Sequence, residues 1–161
     1  MSLYLKYRPK TIDELDLASV RKVLGEMVAA NKMAHAYLLT GPRGSGKTST
    51  ARIVARIVNC EKNAKKLGEP CNECDNCRAI LVGSAVDVIE IDAASNRGID
   101  DIRELKEKIR LMPANLRRKV YIIDEVHMLT NEAFNALLKT LEEPPEHAIF
   151  ILCTTELHKV P

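Results

Sequence analysis

The sequence has 161 residues, of which 46% are hydrophobic, and this length and composition suit one α/β domain with a single packed core. The net charge of +2, from 24 basic and 22 acidic side chains, argues neither for nor against a nucleic-acid partner. The apolar runs are too short to span a membrane and the start MSLYLKYRPK lacks a signal-peptide core, so we expect a cytoplasmic protein.

Apolar runs alternate with segments of helical period, which predicts a parallel sheet covered by helices. We expect strands near residues 36–40, 86–91, 119–124 and 148–153. One helix is marked by an apolar face early in the chain and a second by a similar face after residue 98: Val20, Val23, Leu24, Met27 and Val28, then Ile99, Ile102, Leu105 and Ile109. A third helix is expected over residues 131–142, before two prolines.

The segment GPRGSGKT at residues 41–48 follows the first expected strand and precedes the helical run ARIVARIV. It fits G-x-x-x-x-G-K-[ST], in which backbone N–H groups and a helix N-terminus surround a phosphate. In this pattern Lys47 reaches the β and γ oxygens of a nucleotide and Thr48 ligates Mg²⁺. The alternative interpretation is a Gly-rich turn with a solvated lysine. The strand before the segment and the helix after it argue against this alternative. The residues expected to bind the nucleotide are Gly41, Pro42, Arg43, Gly44, Ser45, Gly46, Lys47 and Thr48.

Four of the five cysteines lie in a polar segment, residues 60–78, that interrupts the helix and strand pattern and reads as an insertion: Cys60, Cys71, Cys74 and Cys77. Four thiolates suffice for a closed tetrahedral site, so structural zinc is the leading prediction. An iron–sulfur cluster is the alternative, although its fourth cysteine usually lies downstream, before a proline. Unliganded thiols remain a third reading, and Cys153 is expected to be a small core residue.

The strand VYIID ends in two adjacent acids, Asp124 and Glu125. Beside a phosphate loop, Asp124 is placed to hold Mg²⁺ and Glu125 to orient or deprotonate the attacking water, rather than both being solvated capping acids. Thr154 and Thr155 close the last strand, where a hydroxyl could bind the γ-phosphate, although threonine is also an ordinary strand residue. The acid next to Asp124 therefore predicts hydrolysis of the bound nucleotide.

These segments together resemble the ATPase (AAA+) module of the gamma/tau subunit family of DNA polymerase III, part of the bacterial replicative clamp loader. The resemblance extends to Pro161 and is carried by LKYRPKTIDEL, GPRGSGKT, the four-cysteine segment, IEIDAASNRGIDDIR and VYIIDEVHMLTNEAFNALLKTLEEPPEH. It implies an AAA+ P-loop NTPase domain over residues 1–161, a parallel sheet flanked by helices, with a zinc-binding insertion at 60–78. It also implies a motor that opens a ring-shaped sliding clamp and places it on primed DNA.

The family's site residues fall on matching positions of this sequence. The resemblance implies ATP, Mg²⁺ and Zn²⁺ as cofactors, with Lys47, Asp124, Glu125 and Thr155 as the catalytic set and Thr155 as its first sensor. The segment matching Tyr7, Arg8 and Pro9 lies against the adenine in the family. Asn96 and Gly98 are minor departures from the family pattern.

The implied partners are the delta and delta-prime subunits, the sliding clamp and primed DNA, without a membrane. The family continues into a Ser-Arg-Cys motif, whose arginine enters a neighbour's ATP site, and then into a lid and a collar. Since that arginine motif would follow Pro161, we expect slow hydrolysis by these 161 residues alone. No nucleotidyl-transfer site of a polymerase is expected.

The segment ASNRGID at residues 94–100 is expected to begin a helix whose N-terminus contacts a DNA backbone phosphate through Arg97. A solvated helix cap is the competing reading, because Asp100 and Asp101 would repel phosphate. Two other function classes also remain: a helicase-like motor, since Asp124 to His127 fits D-E-x-H, and a nucleotide-dependent scaffold without turnover, which Glu125 argues against.

Overall fold

The computed structural model describes residues 3–161, which fall into two units by their contacts. The first, called here the cysteine unit, contains the residues up to 33 together with 46–85, and the second, the sheet unit, contains 34–45 together with 86–161. Within residues 3–161, no helix combines the length and the apolar character that a membrane span needs.

The cysteine unit is helical. Its helices are α1 (Leu3–Lys6), α2 (Ala18–Ala29), α3 (Lys47–Asn59) and α4 (Asp75–Val82), with a short 3₁₀ turn at Glu61–Asn63. Every residue of α3 from Thr50 to Asn59 except Arg52 is buried, so this helix forms the centre of its unit. Thr50 reinforces the first turn of α3, because its N–H and its hydroxyl both donate to the Gly46 carbonyl at 2.9 and 2.8 Å.

The sheet unit contains four parallel strands in the order β1-β4-β3-β2. The strands are β1 (Ala36–Thr40), β2 (Val88–Asp92), β3 (Lys119–Asp124) and β4 (Ala148–Thr154). The expected bounds of β1 and β3 are confirmed, while β2 starts two residues and ends one residue later than expected, and β4 ends one residue later. Every residue of β4 is buried, as expected for a central strand of a parallel sheet.

Two helices, α5 (Ile99–Ile109) and α6 (Asn131–Glu142), belong to the sheet unit, and the predicted bounds of α6 are confirmed. One core joins their apolar faces to one face of the sheet: Ile102, Leu105, Ile109, Phe134, Leu137, Tyr121, Ile123, Phe150 and Leu152. Tyr121 and Phe150 stack on neighbouring strands with ring centroids 5.5 Å apart. Thr130 caps α6, since its hydroxyl accepts the Ala133 N–H at 3.2 Å.

Asp87 fixes the loop that leads into β3. Its side chain accepts backbone N–H bonds from Ala114, Asn115 and Leu116 at 2.8, 2.7 and 2.8 Å, and the residue is 2% exposed. Burial would raise the pKa of this carboxyl, but the three N–H donors outweigh burial and lower it. The carboxylate thus supplies the hydrogen-bond acceptors that a neighbouring strand would supply to N–H groups within a sheet.

Asp87→Ala should therefore cost about 3 kcal/mol of local stability, because three N–H donors lose a charged acceptor. Hydrogen exchange of the peptide over residues 110–120, measured on the full-length protein at pH 7, should speed up about 100-fold. Asp100→Ala, at a side chain that is 93% exposed, is the control and should leave this exchange unchanged.

The pH dependence of this effect follows from the sign of the pKa shift. Because the folded pKa of Asp87 lies below its unfolded value of 3.8, the stabilisation is complete above that pH and is lost as the pH falls toward the folded pKa. The difference between wild type and Asp87→Asn should shrink below about pH 3.8. A difference that is constant down to pH 2 would contradict this account of Asp87.

Candidate nucleotide site and metal centre

The carboxyl ends of the parallel strands meet at one edge of the sheet, where open α/β folds bind their ligands. Within the sheet unit this edge carries the start of the GPRGSGKT loop, the two acids at the end of β3 and the two threonines at the end of β4, where Glu125 and Thr155 are the first residues after their strands. The Gly41 N–H donates to the Thr154 carbonyl at 3.2 Å, which ties the beginning of the loop to the end of β4. Three separately predicted segments of the site therefore lie side by side.

The loop itself is tightly curled. Gly44 and Gly46 have φ angles of 82° and 88°, which residues with a side chain rarely adopt. The Ser45 N–H closes a turn by donating to the Pro42 carbonyl at 3.1 Å. Lys47 is the first residue of α3 and Thr48 the second, so the loop leads directly into a helix N-terminus that carries both side chains.

The acids after β3 adopt an unusual backbone. Asp124 lies at the end of the strand, and its carboxylate accepts the Glu125 N–H at 2.9 Å. Glu125 has φ 53° and ψ 43°, a left-handed conformation that costs a non-glycine residue about 1 kcal/mol or more. The Thr155 hydroxyl donates to Glu125 Oε2 at 3.4 Å. The structure thus brings together Glu125 and Thr155, which directly follow two different strands.

His127 is a polar residue of this edge to which the sequence assigned no role of its own. It lies in a short 3₁₀ turn, Val126–Met128, directly after the acids, and its side chain is only 3% exposed. Its ring contacts Thr154, Glu125 and Glu156. The D-E-x-H spacing was the only sequence signal for it, and that spacing does not reveal the partners on β4.

The adenine role of Tyr7, Arg8 and Pro9 stays a prediction. These residues follow α1, and Tyr7 is 72% exposed, with Lys6 Nζ 5.6 Å from the centre of its ring. The next residue, Lys10, is fastened within the cysteine unit, because its carbonyl accepts from Arg56 and Asn72, both at 3.1 Å.

The expectation that residues 94–100 begin a helix is wrong for most of that segment, because α5 starts only at Ile99. Asp92 holds a turn there instead, since its side chain accepts the Ala94 N–H at 2.9 Å and its carbonyl accepts the Ser95 and Asn96 N–H groups, both at 3.1 Å. Immediately before α5, the Gly98 N–H donates to Asp101 Oδ2 at 3.3 Å.

Arg97 lies in this turn and is exposed, with its Nε bonded to the Met128 carbonyl at 3.1 Å. Its backbone carbonyl accepts the Thr130 N–H at 3.0 Å, which links the turn to the start of α6. The phosphate contact of Arg97 stays a prediction.

The four clustered cysteines form a metal-binding arrangement inside the cysteine unit. The Sγ atoms of Cys60, Cys71, Cys74 and Cys77 all lie within 4.8 Å of one another. A single tetrahedral ion with bonds of about 2.3 Å would separate its sulfur ligands by about 3.8 Å, so the cluster fits one zinc-sized ion. A multi-iron cluster would lie between the sulfurs and hold them farther apart.

Backbone N–H groups are already directed at these sulfurs. Cys71 Sγ accepts from Glu73 and Cys74 at 3.4 and 3.3 Å, and Cys74 Sγ accepts from Cys77 at 3.4 Å. The N–H bond from Glu73 is the main cause that lowers the pKa of Cys71 to about 6, which favours the thiolate. Burial instead raises the pKa of Cys77, so a bound cation would be needed to hold that sulfur as a thiolate.

Comparison with known proteins places the chain among DNA polymerase III subunits. A family model described as "DNA polymerase III, delta subunit" matches residues 17–161. The tau subunit of DNA polymerase III from Bacillus subtilis is 55% identical over 161 residues, which are 99% of this chain and 28% of that protein. The chain spans about a quarter of the length of the curated relatives it matches.

Solved structures with a similar fold include a DNA polymerase III relative and RuvB. A DNA polymerase III gamma subunit-related protein of Thermotoga maritima has a TM-score of 0.61 and 29% identity, over 87% of this chain and 40% of that chain. RuvB of Thermotoga maritima has a TM-score of 0.59 at 20% identity, over 96% of this chain and 44% of that chain, and this likeness concerns the fold alone. The predicted P-loop α/β fold class is confirmed.

Proposed function

The chain belongs to a family of DNA polymerase III subunits, and its relatives are of the gamma/tau type. On that premise we propose that it is the ATP-hydrolysing part of a clamp-loader subunit. The geometric observation that carries the proposal lies at the carboxyl edge of one parallel sheet, where the Gly41 N–H donates to the Thr154 carbonyl and the next residue, Thr155, donates to Glu125. A phosphate loop beside an acid and a hydroxyl suits hydrolysis of a nucleoside triphosphate.

Each residue of the proposed ATPase has a separate task. The backbone N–H groups of Gly44 and Gly46 and the Lys47 ammonium are proposed to bind the β and γ phosphates, since both kinds of group supply positive charge to phosphate oxygens. Thr48 and Asp124 would hold Mg²⁺, which neutralises charge on the phosphates when it is bound. Glu125 orients the attacking water and Thr155 contacts the γ-phosphate. Tyr7, Arg8 and Pro9 are proposed to cover the adenine.

Lys47→Ala in the full-length protein should weaken ATP binding about 100-fold, because the variant loses a charged donor worth about 3 kcal/mol. Isothermal titration with ATP measures the change. Lys66→Ala removes an equal charge at an exposed position of the cysteine unit and is the matched control. Equal ATP affinities for Lys47→Ala and wild type would show that the loop is not the phosphate site.

We also propose that the four cysteines hold a structural zinc ion. Its role is mechanical, because Glu69 and Asn72 of the insertion hold the N-terminal segment. Glu69 accepts the Ile12 and Asp13 N–H groups at 2.8 and 3.3 Å, and Asn72 donates to the Lys10 carbonyl at 3.1 Å. An ordered insertion would therefore also order the segment that contains the adenine-contact residues.

The proposed partners follow from the family. We propose that the full-length protein works in the cytoplasm with delta and delta-prime subunits, a ring-shaped sliding clamp and primed DNA. Arg97, exposed beside the start of α5, is the proposed contact to a DNA phosphate, and such a contact positions DNA without reading its sequence.

A further inference from the structure

One buried histidine joins the ends of β3 and β4. Its Nδ1 lies 2.8 Å from Thr154 Oγ1, and its Nε2 lies 3.4 Å from Glu125 Oε2 and 3.2 Å from Glu156 Oε2. Both ring nitrogens of His127 are thus engaged, and the ring is held in one orientation. The carboxylate that it contacts is the one proposed to orient the attacking water.

The partners determine where the histidine carries its proton. Carboxylates only accept hydrogen bonds, so Nε2, which faces two of them, must carry a hydrogen. In the neutral ring Nδ1 is then an acceptor, and the Thr154 hydroxyl donates to it. The Thr154 oxygen in turn accepts the Glu156 N–H at 3.0 Å, which leaves its own hydrogen for the ring. Thr154 is fully buried, so this arrangement has no competition from bulk water at the hydroxyl.

The orientation of the Glu125 carboxylate is not fixed by its own backbone and depends on neighbouring side chains. The residue sits in the left-handed region, where non-glycine residues persist only when their surroundings enforce the conformation. Its side chain is 29% exposed, so water competes for the carboxylate. The Thr155 hydroxyl at 3.4 Å is a long hydrogen bond, and His127 Nε2 lies 3.4 Å from the same oxygen.

We propose that His127 is a positioning residue of the ATPase, which holds the Glu125 carboxylate in the orientation that hydrolysis requires. The inference rests on the proposed ATPase function. Glu156 shares the same nitrogen and is itself held by Lys159 Nζ at 3.0 Å, so it keeps the ring in place without drawing it into solvent. The histidine therefore acts through Glu125, which its Nε2 approaches to 3.4 Å.

The test compares His127→Leu with His127→Gln in the full-length protein within its assembly. Leucine removes both ring nitrogens, and we expect kcat for ATP hydrolysis to fall about 10–100-fold, with the Kd for ATP within two-fold of wild type. Glutamine can place an N–H donor near the position of Nε2, so His127→Gln should recover most of the lost kcat. A residue that only filled the core would not show this split between kcat and Kd or this recovery.

His147→Gln is the matched control, because His147 is a half-buried histidine at the opposite edge of the sheet, with its Nε2 2.8 Å from the Ile109 carbonyl. It should leave kcat unchanged. If His127→Leu does not fold, Thr154→Val replaces it, since valine keeps the buried shape and removes the hydroxyl that orients the ring and accepts the Glu156 N–H. It should lower kcat about ten-fold at unchanged Kd.

The inference is overturned if the folded leucine variant, or the valine variant in its place, has the kcat of wild type. It is also overturned if His127→Gln is as slow as His127→Leu. Failure of the ATPase proposal has a different signature: wild type itself would then neither bind nor hydrolyse ATP.

Discussion

Replacing Glu125 with glutamine should lower ATP turnover by the full-length protein in its assembly by about 10²–10⁴-fold while ATP still binds. Glutamine keeps the size of the side chain and can still accept from Thr155, but it has no charge with which to attract a proton of the attacking water. Steady-state phosphate release, measured at saturating ATP, reads the change directly. The ATP affinity, measured by titration, should remain near that of wild type.

Glu142→Gln is the matched control, because it removes an acid at the exposed end of α6 and should leave turnover unchanged. Turnover by Glu125→Gln within a factor of three of wild type would contradict the role of this acid. A large loss of ATP affinity would instead place Glu125 among the binding residues.

Cys74→Ser should abolish metal binding by the cysteine unit, whereas the unchanged full-length protein should carry about one zinc per chain. Structural zinc sites contribute about 10–16 kcal/mol of apparent binding free energy in small peptides, so this is the largest stability effect that we expect. Without the ion, the raised pKa of Cys77 leaves a buried neutral thiol and the insertion loosens. Elemental analysis and limited proteolysis within residues 60–78 measure the two effects.

Cys153→Ala is the control for this experiment, since Cys153 is buried in β4, outside the four-cysteine cluster. It should retain the metal and the protease resistance of residues 60–78. Iron in place of zinc would restore the iron–sulfur interpretation. No metal at all, in protein prepared without a chelator, would contradict the metal site altogether.

Much of the fold and of the candidate site is local in the sequence and could be predicted. The phosphate loop is a continuous segment whose glycines allow the positive φ angles of its turns. The helix α6 has a cap at Thr130 and prolines after its end. The cysteine cluster follows from spacing, because two pairs separated by two residues bring their sulfurs together in a turn.

The contacts between distant segments could not be predicted. The His127 ring meets Thr154 only because β3 pairs with β4 in one register, and no spacing along the chain encodes that register. The delayed start of α5 has a different, local cause. Asp92 captures the following N–H groups in a turn, and this competes with the helix that the pattern predicted.

Asp100 and Asp101 could be interpreted from the sequence either as acids that repel a phosphate or as caps of the helix N-terminus. We noted that they would repel a phosphate, and the structure uses Asp101 as the cap of the Gly98 N–H at 3.3 Å. An acid in the first turn also interacts favourably with the positive end of the helix dipole. The proposed DNA contact therefore depends on the Arg97 side chain rather than on the helix end.

The central claim is that ATP hydrolysis at this site drives the placement of a ring-shaped clamp on DNA. The most direct measurement combines the full-length protein, its proposed partner subunits, a fluorescent sliding clamp and a primed circular DNA, and counts the clamps that stay on the DNA after free protein is removed. We predict ATP-dependent retention of the clamp that is lost in Lys47→Ala and Glu125→Gln. Clamp retention that is independent of ATP, or ATP-driven strand separation of the duplex without retained clamp, would contradict the proposed function.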